Sequence, residues 1–340
     1  MDCVIIILMQ RIDFLAIGDI TTDAFIRIKD AAVNCDINRE HCKLCFSFGE
    51  KVPYEFVEVV RAVGNSPNAA VSARRLGLSS ALVTNLGDDQ NGRECLDTLK
   101  KEGVNTDYVT VHKGRETNYH YVLWYEEERT ILVKHHEYNY KLPDISSVPK
   151  WIYLSSLASN SLPYHHQIAD YIRKNKDQTK LVFQPGTFQI KLGAEKLKDL
   201  YKLSELFFCN KEEAKRITGK YNSEMTDLLK TMRSLGPKIV VITDGPKGAY
   251  SYDGEEVWYI PMYPDPKPPV DRTGAGDSFA SAFTTALALG KSIPEALSWG
   301  PINSMSVVQY VGAQEGLLRR EKLEEYLAKA PRNYNPKKIG

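Results

Sequence analysis

The sequence lacks a long apolar run, an excess of charge of either sign and a block of basic residues. Its 340 residues carry 44 Lys and Arg against 43 Asp and Glu, which leaves a formal net charge of +1. This balance gives no electrostatic reason to expect a nucleic acid as partner. No stretch approaches the ~18 unbroken apolar residues of a membrane span. We therefore expect a soluble protein that binds neither nucleic acid nor a membrane.

A secretory signal is also missing. The apolar segment 4–8 has no basic residues before it and is too short to cross a bilayer, so it is either an edge strand or lies upstream of a native start at Met9 rather than Met1. The six cysteines are spread over the chain without such a signal. We therefore expect reduced thiols and a cytoplasmic location.

Complete zinc-binding spacing is absent as well. The one candidate cluster is Cys42-x2-Cys45 with Cys35 and His41 nearby, which lacks the usual second pair of ligands. A zinc module and a set of ordinary thiols are both compatible with this pattern.

Two common phosphate-binding fingerprints do not occur. The chain has no G-x-x-x-x-G-K-[ST] loop, and no G-x-G-x-x-G follows its first apolar strand. P-loop and dinucleotide-binding readings are therefore disfavoured.

What the chain does contain is an anion-binding segment of another kind, Asp-Arg-Thr-Gly-Ala-Gly-Asp at 271–277. The apolar run that follows ends at Gly290 and predicts a helix that starts at Gly274. Backbone N–H groups in its first turn have no helical partner and lie at the positive end of the helix dipole. Asp277 beside this anion hole could deprotonate a hydroxyl during phosphoryl transfer. The alternative is a first-turn acid that serves only the dipole.

Strands and helices alternate along most of the chain, which predicts an α/β fold with a mostly parallel sheet covered on both faces. Segments 24–60 and 115–137 alternate apolar and polar residues instead, and we interpret them as short antiparallel strands of a small lid. Residues 13–330 would form one domain with this lid, and 331–340 would be a frayed C-terminal tail.

Other candidate ligand residues follow predicted strands, where parallel sheets bind their ligands. Asp23 follows the first strand, with a polar turn as the alternative. The Asn68 amide can donate to and accept from a sugar hydroxyl. Asn210 and Glu213 either close a capping box or organise Mg²⁺ and its waters. Thr243 precedes a glycine-containing turn that suits a nucleotide.

Together these motifs resemble those of the ribokinase-like, or PfkB-type, carbohydrate kinases over residues 13–330. Residues 271–277 resemble D-T-x-G-A-G-D and residues 63–68 resemble G-G-x-x-x-N, while 210–213 and 243–248 match N-x-x-E and T-x-G-x-x-G. The resemblance implies a ribokinase-like three-layer α/β/α fold with a small β-sheet lid. It also implies transfer of the ATP γ-phosphoryl group to a hydroxymethyl group of a sugar or nucleoside. A catalytically inactive sugar- or nucleotide-binding regulator is the alternative.

Roles for individual residues follow from the same resemblance. Asp277 would be the general base, with the Gly274, Ala275 and Gly276 amides as the anion hole. The other assignments are Asp23, Gly64, Asn65 and Asn68 for the substrate; Asn210, Thr243, Gly245, Gly248 and Asn303 for the nucleotide; Glu213 for Mg²⁺ through water; and Asp271 and Thr273 for a monovalent cation such as K⁺.

Departures from the motifs bear on the acceptor. Gln184 stands where relatives often carry an acidic residue, and Arg272 replaces the commoner Thr. The Asp23 and Asn68 pair favours a neutral polyol, although a lid arginine such as Arg129 could serve a phosphorylated sugar. A lid sheet this small is unstable alone, so we expect a homodimer through the lid.

Overall fold

A 10-stranded sheet runs through the protein in the computed structural model, which describes residues 11–35, 42–126 and 128–340. The strands are β1 (Phe14–Ile17), β2 (Thr21–Ile28), β3 (Ala32–Asn34), β4 (Lys43–Cys45), β5 (Tyr54–Val63), β6 (Ser80–Gly87), β7 (Val109–His112), β8 (Tyr119–Tyr125), β9 (Glu128–Leu132), β10 (Trp151–Leu154), β11 (Lys180–Phe183), β12 (Ser204–Asn210), β13 (Ile239–Thr243), β14 (Ala249–Tyr252), β15 (Val257–Ile260) and β16 (Lys337–Lys338). The helices are α1 (Asn65–Arg75), α2 (Gln90–Lys101), α3 (Leu162–Lys174), α4 (Thr187–Leu192), α5 (Lys198–Leu203), α6 (Lys211–Thr218), α7 (Met225–Ser234), α8 (Ala275–Ala288), α9 (Ile293–Val307) and α10 (Arg320–Ala328). Within the described ranges, none of these helices has the length and apolar character needed to cross a bilayer.

The central sheet has the order β16-β15-β14-β13-β12-β11-β10-β1-β6-β7. Its pairs from β13 to β7 are parallel, and β14, β15 and β16 extend it antiparallel at one edge. After β1 the chain adds β6 and β7 on one side and then crosses to β10 on the other. Such a reversal opens a crevice at the carboxyl ends of the strands, where ligands bind.

Alternating side chains of the strands fill two cores, one on each face of the sheet. Phe14 and Ala16 of β1 belong to the core that contains Phe279 and Phe283 of α8. Leu15 and Ile17 belong to the opposite core with residues of α3, α5 and α7. The predicted three-layer α/β/α architecture is confirmed.

A second sheet, which we call the lid sheet, has four strands in the order β5-β2-β8-β9. β2 pairs antiparallel with β5, and β8 pairs antiparallel with β9. β2 and β8 are parallel, which the expectation of purely antiparallel strands missed, and their register places Asp23 beside His120. The lid sheet therefore brings two segments about 100 residues apart in sequence into contact above the crevice.

The cysteines differ from the sequence-based expectation. Cys35 and Cys42 form a disulfide, so the prediction of reduced thiols is wrong for this pair. The disulfide uses two of the four side chains that were candidates for binding zinc. A third, His41, lies outside the described residues. No group of three potential metal ligands occurs in the described parts of the chain.

The C-terminal segment is ordered, contrary to the predicted frayed tail. β16 pairs antiparallel with β15. The Tyr334 ring is buried against Tyr263, and its hydroxyl donates to the Ser298 carbonyl at 2.6 Å. The local sequence did not predict this order because these partners lie far away along the chain.

Candidate active site

Helix α8 begins at the predicted glycine. Gly274 is its N-cap with a φ of 79°, a left-handed conformation that favours glycine, and a Cβ there would lie 2.3 Å from the Cβ of Ala313. A Cβ on Gly276 would meet only the Gln184 amide nitrogen, at 4.0 Å, so open space lies above this residue. The Ala275 N–H already donates to the Arg272 carbonyl at 3.3 Å. Of these predicted anion-hole residues, Gly276 offers the clearest approach.

The Asp277 carboxylate is buried and held by three amide side chains. Oδ1 accepts from Asn65 Nδ2 at 2.7 Å and Gln184 Nε2 at 3.1 Å, and Oδ2 accepts from Asn68 Nδ2 at 2.8 Å. Burial raises the pKa of Asp277, and the three amide donors oppose that rise. The carboxylate thus has a fixed orientation and an elevated pKa, both of which suit a general base.

The sequence predicts only part of this arrangement. Asn65 and Asn68 lie three residues apart in the first turn of α1 and therefore project from one face. Asn68 Oδ1 also accepts from Gln314 Nε2 at 3.0 Å, so its amide supports Asp277 as well as facing ligand space. Gln184 departs from the family motif, and its contact with Asp277 depends on tertiary packing.

Two cavities meet at the start of α8. The first, which we call the polar cavity, has a volume of about 380 Å³, and its lining includes Asp23, Gly64, Asn65, Asn68, His120, Gln184, Asn210, Glu213, Thr273, Gly274 and Asp277. The second, the apolar cavity, has a volume of about 270 Å³, and its lining includes Gly245, Gly248, Tyr263, Arg272, Ala275, Phe279, Pro301 and Met305. Thr243 and Gly276 line both. Two ligands, one in each cavity, can therefore meet at Gly276.

Asp23 and His120 both line the polar cavity. Asp23 Oδ1 lies 3.2 Å from His120 Nδ1 but makes no aligned hydrogen bond within the described structure. The Nε2 atom of His120 is likewise buried without a partner there. Unsatisfied buried polar atoms on a cavity wall are suited to a polar ligand. His120 was missed because only the β2–β8 register reveals it.

The capping box at the start of α6 is confirmed. Asn210 Oδ1 accepts from the Glu213 N–H and Glu213 Oε2 accepts from the Asn210 N–H, both at 2.8 Å. Both residues also line the polar cavity. Burial raises the pKa of Glu213, the Asn210 N–H opposes this, and the charge of Asp277 adds to the rise. Asn210 and Glu213 therefore cap α6 and at the same time line the polar cavity together with Asp277.

Asn303 lies inside the protein rather than on either cavity wall. It is fully buried, and its amide donates to Ser72 Oγ at 3.2 Å and to the Ser278 carbonyl at 3.0 Å. Its Oδ1 accepts from the Leu318 N–H at 3.0 Å. These contacts tie α9 to α1 and α8, so we retain no nucleotide role for Asn303.

Comparison with known proteins decides the family. The sequence model of the pfkB family of carbohydrate kinases matches residues 31–320. The chain belongs to this family. A ribokinase of Bacillus subtilis is 31% identical over 274 residues, which cover 78% of this chain and 87% of that protein. An ATP-dependent 6-phosphofructokinase of Thermoanaerobacterium thermosaccharolyticum is 29% identical over 269 residues, 74% of this chain and 80% of that protein.

Solved structures agree on the fold of this pfkB kinase. Arabidopsis thaliana ribokinase, solved with ribose and ATP, has a TM-score of 0.75 at 20% identity and covers 93% of this chain and 99% of that one. The ribokinase-like fold is thus confirmed, and the protein is a carbohydrate kinase with an alcohol group as acceptor. These relatives give no support to an inactive regulator.

Proposed function

We propose that this pfkB kinase transfers the γ-phosphoryl group of ATP to a hydroxymethyl group of a sugar or nucleoside, with Asp277 as general base. The observation that carries the proposal is the buried Asp277 carboxylate on the polar cavity, next to a glycine that both cavities share. An acceptor hydroxyl and a phosphate could meet there in line. Because ATP is the proposed co-substrate, we place the activity in the cytoplasm.

Different residues would carry out proton transfer, charge stabilisation and nucleotide binding in the two cavities. Asp277 would accept the hydroxyl proton while the amides at 274–276 stabilise charge on the phosphoryl group. Thr243, Gly245 and Gly248 would contact the nucleotide in the apolar cavity. Asn210 and Glu213 fit an outer-shell role toward Mg²⁺, because they offer only oxygen and amide groups and Mg²⁺ retains its waters. The bound ion would neutralise phosphate charge.

A neutral polyol suits the polar cavity best. The ionisable side chains of its described lining are Asp23, Glu213, Asp277, His120 and Cys209, and no Lys or Arg is among the described lining residues. Carboxylates accept hydrogen bonds from hydroxyls and repel phosphate groups. We therefore propose an unphosphorylated sugar or nucleoside as acceptor.

An acceptor screen tests this function. Purified protein with ATP and Mg²⁺ would be assayed for ADP release on neutral sugars, nucleosides and phosphorylated sugars. We expect turnover on a neutral acceptor. Binding without turnover on every compound would favour the regulator, and a preference for phosphorylated sugars would overturn the acceptor class.

Glu213→Gln should separate the cap from the metal role. Gln retains an oxygen that can accept from the Asn210 N–H, so the capping box and the thermal midpoint should persist. Loss of the negative charge should raise the Mg²⁺ concentration needed for half-maximal rate by about 10- to 100-fold. Titration of the rate with Mg²⁺ measures this, and Glu212→Gln on the same helix is the matched control. An unchanged Mg²⁺ dependence would leave Glu213 with the capping role alone.

We also propose that residues 13–330, with the segment 331–340 packed against them, form the kinase unit and that it dimerises through the lid sheet. Large apolar side chains are exposed there: Tyr54, Phe56, Val57, Tyr121, Ile131 and Leu132. Contiguous exposed apolar residues are typical of association surfaces. Light scattering should give about twice the 38.4 kDa mass of one chain, and Leu132→Lys should shift the protein toward one chain. A single-chain mass at high concentration would contradict the proposal.

A further inference from the structure

The position at which the family resemblance implies a monovalent cation already holds a positive charge. Asp271 Oδ1 lies 2.9 Å from Arg129 Nη2, and the Asp271 side chain is fully buried. The same oxygen accepts from the Thr273 N–H at 2.7 Å, while Oδ2 accepts from the Gly312 N–H at 2.8 Å. Cations of this kind need oxygen ligands, but both carboxylate oxygens here face N–H donors. The residues present therefore do not fit a monovalent cation at Asp271.

Arg129 is held firmly in this place. Its side chain is 11% exposed, and Nη2 also donates to the Val270 carbonyl at 3.0 Å. Its guanidinium carbon lies 5.1 Å from the centre of the Trp124 ring, a distance at which a cation is attracted to the ring face. Because this ion pair is buried, loss of the arginine would leave Asp271 uncompensated, unlike an exposed pair.

The ion pair also joins the lid sheet to the anion hole. Arg129 is on β9, whereas Asp271 lies in the segment that leads into α8, three residues before the N-cap Gly274. The backbone at Gly312 also lies close to Val60 of β5, since a Cβ added there would be only 3.0 Å from a Val60 methyl carbon. Asp271 thus links a lid strand, the Thr273 N–H and the Gly312 N–H through one carboxylate.

We propose that the Arg129 guanidinium takes the place of the monovalent cation, so that phosphoryl transfer by this kinase does not require K⁺. Arg129 is a positioning residue: it neutralises Asp271, and Asp271 fixes the backbone that leads into the anion hole. The catalytic test of this inference rests on the proposed function, whereas a second test, thermal unfolding, does not.

The catalytic experiment compares salts at equal ionic strength. Wild-type protein, assayed with the acceptor found in the screen, should have the same rate in potassium chloride and in tetramethylammonium chloride. Arg129→Gln should lower the rate in tetramethylammonium by on the order of 10- to 100-fold through misplacement of the anion hole, and K⁺ should restore part of it. Arg129→Lys should retain more activity because the charge remains.

Arg27→Gln is the matched control. Arg27 is also a lid arginine over the Trp124 ring, at 4.6 Å, but its carboxylate neighbour is Glu55 rather than Asp271. We expect this variant to keep the wild-type rate in both salts. A wild-type rate that collapses without K⁺ would overturn the inference, as would an Arg129→Gln rate equal to wild type in tetramethylammonium.

Thermal unfolding without substrate gives the independent readout. The wild-type midpoint should be the same in potassium and tetramethylammonium, whereas Arg129→Gln should unfold at a lower temperature and K⁺ should recover part of the loss. A K⁺-specific rise in the wild-type midpoint would overturn cation replacement. If the wild type turns over no acceptor in either salt, the proposed function fails, and the unfolding result still decides this inference.

Discussion

Asp277→Asn should lower kcat by about 10²- to 10⁴-fold, the usual cost of losing a general base. Asn has nearly the same shape, so the acceptor can still bind in the polar cavity. It cannot accept the hydroxyl proton, and its NH₂ group would face amide donors that now surround a carboxylate. Initial rates at saturating ATP and acceptor measure the change.

Two further readouts guard this prediction. Asp170→Asn, a substitution of an exposed surface aspartate, is the matched control and should leave the rate unchanged. Because burial raises the pKa of Asp277, the rate should fall on acidification at a pH above the ordinary aspartate pKa of about 3.9. Asn65→Ala removes a donor that lowers this pKa, so the acid limb should move to still higher pH. Full activity in Asp277→Asn would remove the proposed base.

Gly276→Ala should cost on the order of 100-fold in rate without unfolding the protein, because the methyl group would misplace the phosphoryl group. The added Cβ has open space on the protein side, since its nearest neighbour is the Gln184 amide nitrogen at 4.0 Å. Alanine is also a better helix former than glycine. The same methyl group would project where both cavities meet. Steady-state rates and a denaturant titration measure the two quantities separately.

Gly274→Ala provides the contrast two residues earlier. Its φ of 79° and the 2.3 Å approach to the Ala313 Cβ predict a loss of unfolding free energy, by about 1–3 kcal/mol for such strain. Gly276→Ala should show no such loss. If instead Gly276→Ala retains wild-type rates, the helix tip does not contact the transferred group.

The sequence predicted those parts of the site whose residues lie close together along the chain. The start of α8 at Gly274 and the Asn210–Glu213 capping box each depend on residues within a few positions of one another. The roles of His120 and Gln184 were not predicted. His120 meets Asp23 through the register of β2 and β8, and Gln184 meets Asp277 through the packing of α8. The Asn303 assignment depended on the family resemblance alone, and burial between helices explains that residue instead.

The positive partner of Asp271 was also not predictable from the local sequence. A cation was expected there from the motif alone, and Arg129 appeared only as one of several lid arginines. The contact between them spans 142 positions and requires the lid strand to lie over the start of α8. Local patterns identify a carboxylate that needs a positive partner, and only the fold shows which partner it has.

The shared glycine has a consequence for inhibitor design. One compound that joins a nucleoside-like group to a polyol by a short linker could fill the apolar and polar cavities at once, because the two cavities meet at Gly276 and Thr243. Tethering raises the effective concentration of each half for its own cavity. Selectivity among related kinases would then come from the polyol half, which faces the His120 side chain.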